Sequence, residues 1–225
     1  MIHPLANFKF STLGEGRRRT AMAEDEAETN RRHKAAMRAL KAERAALMAD
    51  KADATGLLLV HTGDGKGKST AAFGMVARAL GWGQKVGVVQ YIKGGWFTGE
   101  GQFFRRFPDQ LRWETMGEGF TWDTQDRARD IAAARAAWAV SLEMLHDPGL
   151  DLVVLDELNI ALRYDYLDIE AVVADLLARP RDKHVCITGR NAKPELLAIA
   201  DLVTEMTLVK HPFDAGIKAQ RGIDF

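Results

Sequence analysis

Residues 61–70, HTGDGKGKST, place three glycines and two lysines directly after the apolar run Leu57-Leu58-Leu59-Val60. Glycine lets consecutive backbone N–H groups converge on an anion, and a helix starting near Lys68 adds the partial positive charge of its amino terminus. The strict phosphate-loop pattern G-x-x-x-x-G-K-[ST] requires glycine at position 62, where this chain has Thr62. The physics survives that departure, because strand, glycine loop, lysine, hydroxyl and helix follow in order. Gly63, Gly65 and Gly67 then shape the cradle, Lys68 reaches phosphate oxygens, and the Ser69 hydroxyl faces Mg²⁺. A second piece is Leu152-Val153-Val154-Leu155-Asp156-Glu157, an apolar run ending in two carboxylates. Such a strand places acid beside a nucleotide's metal at the carboxyl edge of a sheet. Taken together, the two segments predict a site for the triphosphate of ATP.

Positioning these groups is the work of short apolar runs that alternate with helical segments. Strands are predicted at 57–62, 85–91, 152–156, 184–188 and 202–207, and helices at 68–81, 126–146, 168–178 and 193–200. Several of the strands are apolar throughout, as strands covered on both faces are, which argues for an α/β fold with a mostly parallel sheet flanked by helices. The helix at 126–146 carries Ile131, Trp138, Leu142 and Leu145 on one face; Asp123 or Thr124 can cap its start, and Pro148-Gly149 closes it.

Residues 1–55 read differently, as a charged amino-terminal arm, partly helical or disordered, preceding one domain at 56–225. Apolar residues are sparse there, and only 34–50 carry a weak helical stripe through Met37, Leu40, Leu47 and Met48. Met22 opens a plausible amino terminus of its own, which would make residues 1–21 an upstream extension without a structural role. Over the 225 residues, Lys+Arg and Asp+Glu are both 31, so no nucleic-acid partner is expected from net charge and any electrostatic site must be local. The single cysteine, Cys186, cannot form an internal disulfide; it reads as a buried core residue in a reducing, cytoplasmic setting. No run approaches the roughly 18 apolar residues of a membrane span, and no secretory signal is evident, so no membrane partner is expected.

Six segments, VHTGDGKGKSTAAFGM, VGVVQYIKG, GFTWDTQ, VVLDELNIAL, ITGRNA and KHPFDAGIKAQRGIDF, occur in order from Gly56 to Phe225 and resemble the P-loop family of ATP:corrinoid adenosyltransferases, which includes the cob(I)yrinic acid a,c-diamide adenosyltransferases. The resemblance implies a RecA-like P-loop NTPase fold. It also implies transfer of the 5'-deoxyadenosyl group of ATP to a corrinoid's Co(I), releasing triphosphate, in adenosylcobalamin biosynthesis or salvage. ATP would lie reversed in the loop relative to ordinary P-loop NTPases. Carried over residue by residue, the phosphate loop comprises Gly63, Asp64, Gly65, Lys66, Gly67, Lys68, Ser69 and Thr70. Lys68 is its main phosphate contact, Ser69 is a ligand for Mg²⁺ or Mn²⁺, and Glu157 holds that metal or the ribose. Where similar proteins have Asn, this chain has Asp64, whose charge disfavours direct phosphate contact. Lys66 and Arg78 add positive charge, the alternatives being a solvated loop lysine and an arginine reaching off its helix. Phe120 and Trp122 match aromatics that lie against the corrin and keep the lower axial ligand from cobalt, easing reduction of Co(II). Arg190 meets corrin side groups or phosphate, or is a plain surface arginine. Further implied are a homodimer, an electron donor such as a flavoprotein, and an amino-terminal helix covering the partner's site, for which residues 34–52 are the candidate; a solvated charged helix is the alternative. The competing reading is a RecA-like ATPase acting on nucleic acid through the arginine-rich arm.

Overall fold

The computed structural model describes residues 13–52, 56–92, 98–116 and 126–224, except for the side chains of 13–24. The chain divides into two compact units, Met1–Asp53 and Ala54–Phe225. In the first, one helix, α1 (Leu13–Ala49), runs 37 residues without a break. The expected helix at 34–50 is thus its carboxyl-terminal part, and Met22 lies inside it. From Asp25 onward its side chains are almost all exposed. Composition rather than an apolar stripe accounts for the helix: Ala, Glu, Arg and Lys have high helix propensity, and both Arg31 and Arg32 pair with Glu28 one turn away.

In the second unit, β1 (Leu58–Thr62) leads into α2 (Lys68–Gly81) and β2 (Val86–Gln90). There follow α3 (Gly99–Phe104), β3 (Leu111–Thr115), α4 (Arg127–His146) and β4 (Leu152–Asp156). The last part comprises α5 (Leu158–Arg163), α6 (Ile169–Ala178), β5 (His184–Thr188), α7 (Pro194–Ile199) and β6 (Leu202–Glu205). The strands form a six-stranded sheet in the order β3-β2-β4-β5-β1-β6, and every pairing is parallel. Alternate residues of β2, β4 and β5 serve opposite cores. Val86, Val88, Leu152, Val154 and Cys186 pack against α2, whereas Val89, Val153, Leu155, Val185 and Ile187 pack on the side of α4 to α7. Burial pushes the Cys186 thiol up to about 12, consistent with a core role.

Strands β1, β2, β4 and β5 fall within a residue of their predicted spans. The expected strand at 202–207 ends earlier, at Glu205; it forms one edge of the sheet and is exposed along its length. At the opposite edge, β3 was not foreseen: Leu111 and Trp113 face the α2 core while Arg112 pairs with Glu143 of α4. Asp126, not Asp123 or Thr124, caps α4 by accepting from Arg129 N; the latter two lie outside the described residues.

Candidate active site

Both sequence-predicted pieces lie at the carboxyl edge of the sheet, on strands separated by β5. Thr62, at the position where the strict pattern wants glycine, is the last residue of β1 and pairs with Glu205. Its carbonyl accepts from Met206 N and its hydroxyl from Ala192 N. The turn therefore begins one residue late, at Gly63, with φ of 90°. The loop lies tightly against the end of β6: a Cβ on Gly65 would sit 2.7 Å from both Met206 O and Thr207 O, and Gly65 N donates to Met206 O. No side chain can enter there. Gly67, at φ 106°, starts α2 with no side chain capping it, which leaves the first-turn amides to an anion.

Lys68 is only 7% exposed and folds back over the loop, its Nζ donating to Gly63 O at 2.8 Å and Gly65 O at 2.6 Å. Burial pulls its ammonium below the ordinary lysine range; the charge of Glu157 opposes this, Arg190 reinforces it, Asp64 opposes it and Lys66 reinforces it. Four sequence-predicted residues are thus within electrostatic range of Lys68. Ser69 and Thr70 occupy the first turn of α2. Arg78 is not brought to them. It sits in the last turn of the same helix, ten residues or about 15 Å of rise from Lys68, where its charge complements the helix dipole. Phe120 and Trp122 lie outside the described residues.

On the acid strand the two carboxylates differ. Asp156 is fully buried and accepts from Thr188 Oγ1 at 2.8 Å and Gln90 Nε2 at 3.1 Å. Glu157 is half-buried, adopts a left-handed backbone (φ 66°) at the start of α5 and donates its N–H to Thr188 Oγ1 at 2.9 Å. Thr188 therefore ties the tip of β5 to both acids. Gln90 extends the network to β3, accepting from Trp113 Nε1 and Thr115 Oγ1. Asn159, also fully buried, donates to Gly189 O. With Thr62, it holds the turn carrying Arg190 from both sides. Sequence reading missed Gln90, Thr188 and Asn159; the available signal for the first two was a polar residue ending an apolar strand, and Asn159 offered none.

With an all-parallel sheet flanked by helices, a glycine loop between β1 and α2, and β5 interposed between the loop strand and the acid strand, the second unit falls in the α/β class of P-loop proteins. Those features themselves carry that assignment; the crystal structure of the RadB recombinase aligns with a TM-score of 0.34 at 20% identity over 61% of this chain and 62% of its own. Within the class, residues 54–225 match the family model described as ATP:corrinoid adenosyltransferase BtuR/CobO/CobP. The corrinoid adenosyltransferase of Pseudomonas aeruginosa is 59% identical over 88% of this chain and 98% of its own. That of Sinorhizobium sp. is 53% identical over 86% and 92%, and that of Escherichia coli K12 50% over 80% and 91%. The chain belongs to the ATP:corrinoid adenosyltransferase family.

Proposed function

We propose that the chain attaches the 5'-deoxyadenosyl group of ATP to the Co(I) centre of a corrinoid and releases inorganic triphosphate. The observation that carries this reading is the buried Lys68, held in the glycine loop within electrostatic range of Glu157 and Arg190. In the transfer a cobalt–carbon bond forms at C5' as the C5'–O bond breaks, and its electron pair leaves with the triphosphate. Co(I) is already a strong nucleophile, so no side chain has to remove a proton. The protein's task is to align C5' with cobalt and to stabilise the departing charge. The loop amides, Lys68 and Lys66 suit that task.

Ser69 and Glu157 are the residues for Mg²⁺ or Mn²⁺. Among the described residues no cluster of three or more His, Cys, Asp or Glu could hold a metal. This fits an ion that takes most of its oxygens from phosphates and water. When bound, such an ion neutralises charge on the phosphate chain. Asp156, locked by Thr188 and Gln90, positions Glu157 rather than meeting the ligand. Phe120 and Trp122 face the corrin in this reading, and Arg190 meets corrin side groups or phosphate. The family resemblance supports a homodimer, a flavoprotein electron donor and a cytoplasmic setting; no described helix is long and apolar enough to cross a membrane.

The test mixes the protein with MgATP and chemically reduced cob(I)yrinic acid a,c-diamide or cob(I)alamin. A light-sensitive cobalt–carbon product and free triphosphate are expected, and the faster corrinoid identifies the substrate. ADP and phosphate formed without corrinoid would overturn the proposal in favour of an ATPase.

A further inference from the structure

The carboxyl-terminal tail returns to the phosphate loop. Beyond the 3-10 turn Pro212–Ala215 the chain runs to Asp224, whose Oδ1 lies 2.5 Å from Lys66 Nζ. A short backbone loop aims this carboxylate: Gln220 N donates to Asp224 Oδ2, and Asp224 N donates back to Gln220 O. Lys66 in turn sits on the phosphate loop, close enough for its charge to act on Lys68. The Lys66 ammonium donates to Asp224 and holds its carboxyl below the ordinary range. A carboxylate thus stands against the loop's second lysine, where an anionic ligand of that loop would compete for it.

Charge, not burial, fastens the tail. Phe213 is 74% exposed and Ile223 81% exposed, and Lys66 itself is half exposed. Gly222 and Ile223 border an apolar hollow of about 360 Å³ lined by Phe73, Phe103 and Phe104, without closing it. The Asp224 side chain is 18% exposed, so the pair is partly open to solvent, and such a pair is weak and sensitive to salt. One carboxylate carries a single charge, whereas a polyphosphate chain carries several.

We propose that Asp224 is an exchangeable counter-ion of the phosphate loop, which yields Lys66 to the polyphosphate of an incoming nucleotide and reclaims it as triphosphate departs. This rests on the reading that residues 63–70 bind the triphosphate. The exchange gives the tail a kinetic function: a polyanion held by two lysines and a helix start leaves faster when an internal carboxylate takes one lysine back.

The test is calorimetric titration of the full chain with inorganic triphosphate and Mg²⁺, with release followed by rapid displacement. Asp224→Asn is expected to tighten binding and slow release about two- to fivefold, the reach of a partly exposed ion pair, while Asp224→Glu behaves as the unmodified protein. In a Lys66→Gln background, Asp224→Asn should change nothing further. Unchanged or weaker binding by Asp224→Asn would overturn the exchange, as would a gain that persists without Lys66. If the unmodified protein binds neither triphosphate nor MgATP, the reading of the loop itself fails, and the exchange with it.

Discussion

The carboxyl edge of the sheet and the tail at 209–224 both hold charged groups near the phosphate loop, but they are built in opposite ways. At the sheet edge Asp156, Thr188 and Gln90 are buried and joined by hydrogen bonds that reach Thr115 and so cross four strands, and Asn159 is buried beside them. In the tail Val209 is 91% exposed, and Phe213 and Ile223 are also open to solvent. A group that must sit in one place through a reaction is placed on the first kind of scaffold; one that must trade partners is placed on the second.

Changes at the sheet edge should therefore cost far more than changes in the tail. Lys68→Ala is expected to lower the transfer rate by at least about 10²-fold, measured with reduced corrinoid, and to weaken triphosphate binding. Gly65→Ala should follow. Its methyl would press on Met206 O and Thr207 O, with a cost of about 1–3 kcal/mol seen as a melting temperature lower by several degrees together with weaker MgATP binding. Thr188→Val removes the bond partner of Asp156 and of the Glu157 amide. It should cost about 1–3 kcal/mol and slow transfer about tenfold through the misplaced acid; a full rate in a destabilised protein would show that the network serves stability alone. Phe213→Ser should move stability by no more than about 0.5 kcal/mol. A larger loss on thermal unfolding would mean that the tail is packed rather than exchangeable, erasing the contrast.

What the sequence disclosed follows the same division. Buried parallel strands announce themselves as continuous apolar runs, so β1, β2, β4 and β5 were legible. The strand β3 was not, because its five residues alternate Leu111 and Trp113 with Arg112 and Glu114, too short a pattern to stand out. The six-residue helices α3 and α5 have no room for a helical period. In the arm, the search for an apolar stripe hid a helix that composition alone supports. The glycine loop was readable since its ligand groups are contiguous. The partners of Thr188, Asn159 and Asp224 were not legible: they are 31, 30 and 158 positions away, and only folding brings them together. Arg78 illustrates the converse, a residue close in sequence to the loop that the rise of α2 carries away from it.

Interposing β5 has one further consequence. It sets the strand of the glycine loop and the strand of the acids two spacings apart, about 9–10 Å, so the sheet acts as a ruler. The order of the strands thus sets how far apart the backbones of the glycine loop and of the acids stand, before any side chain is chosen.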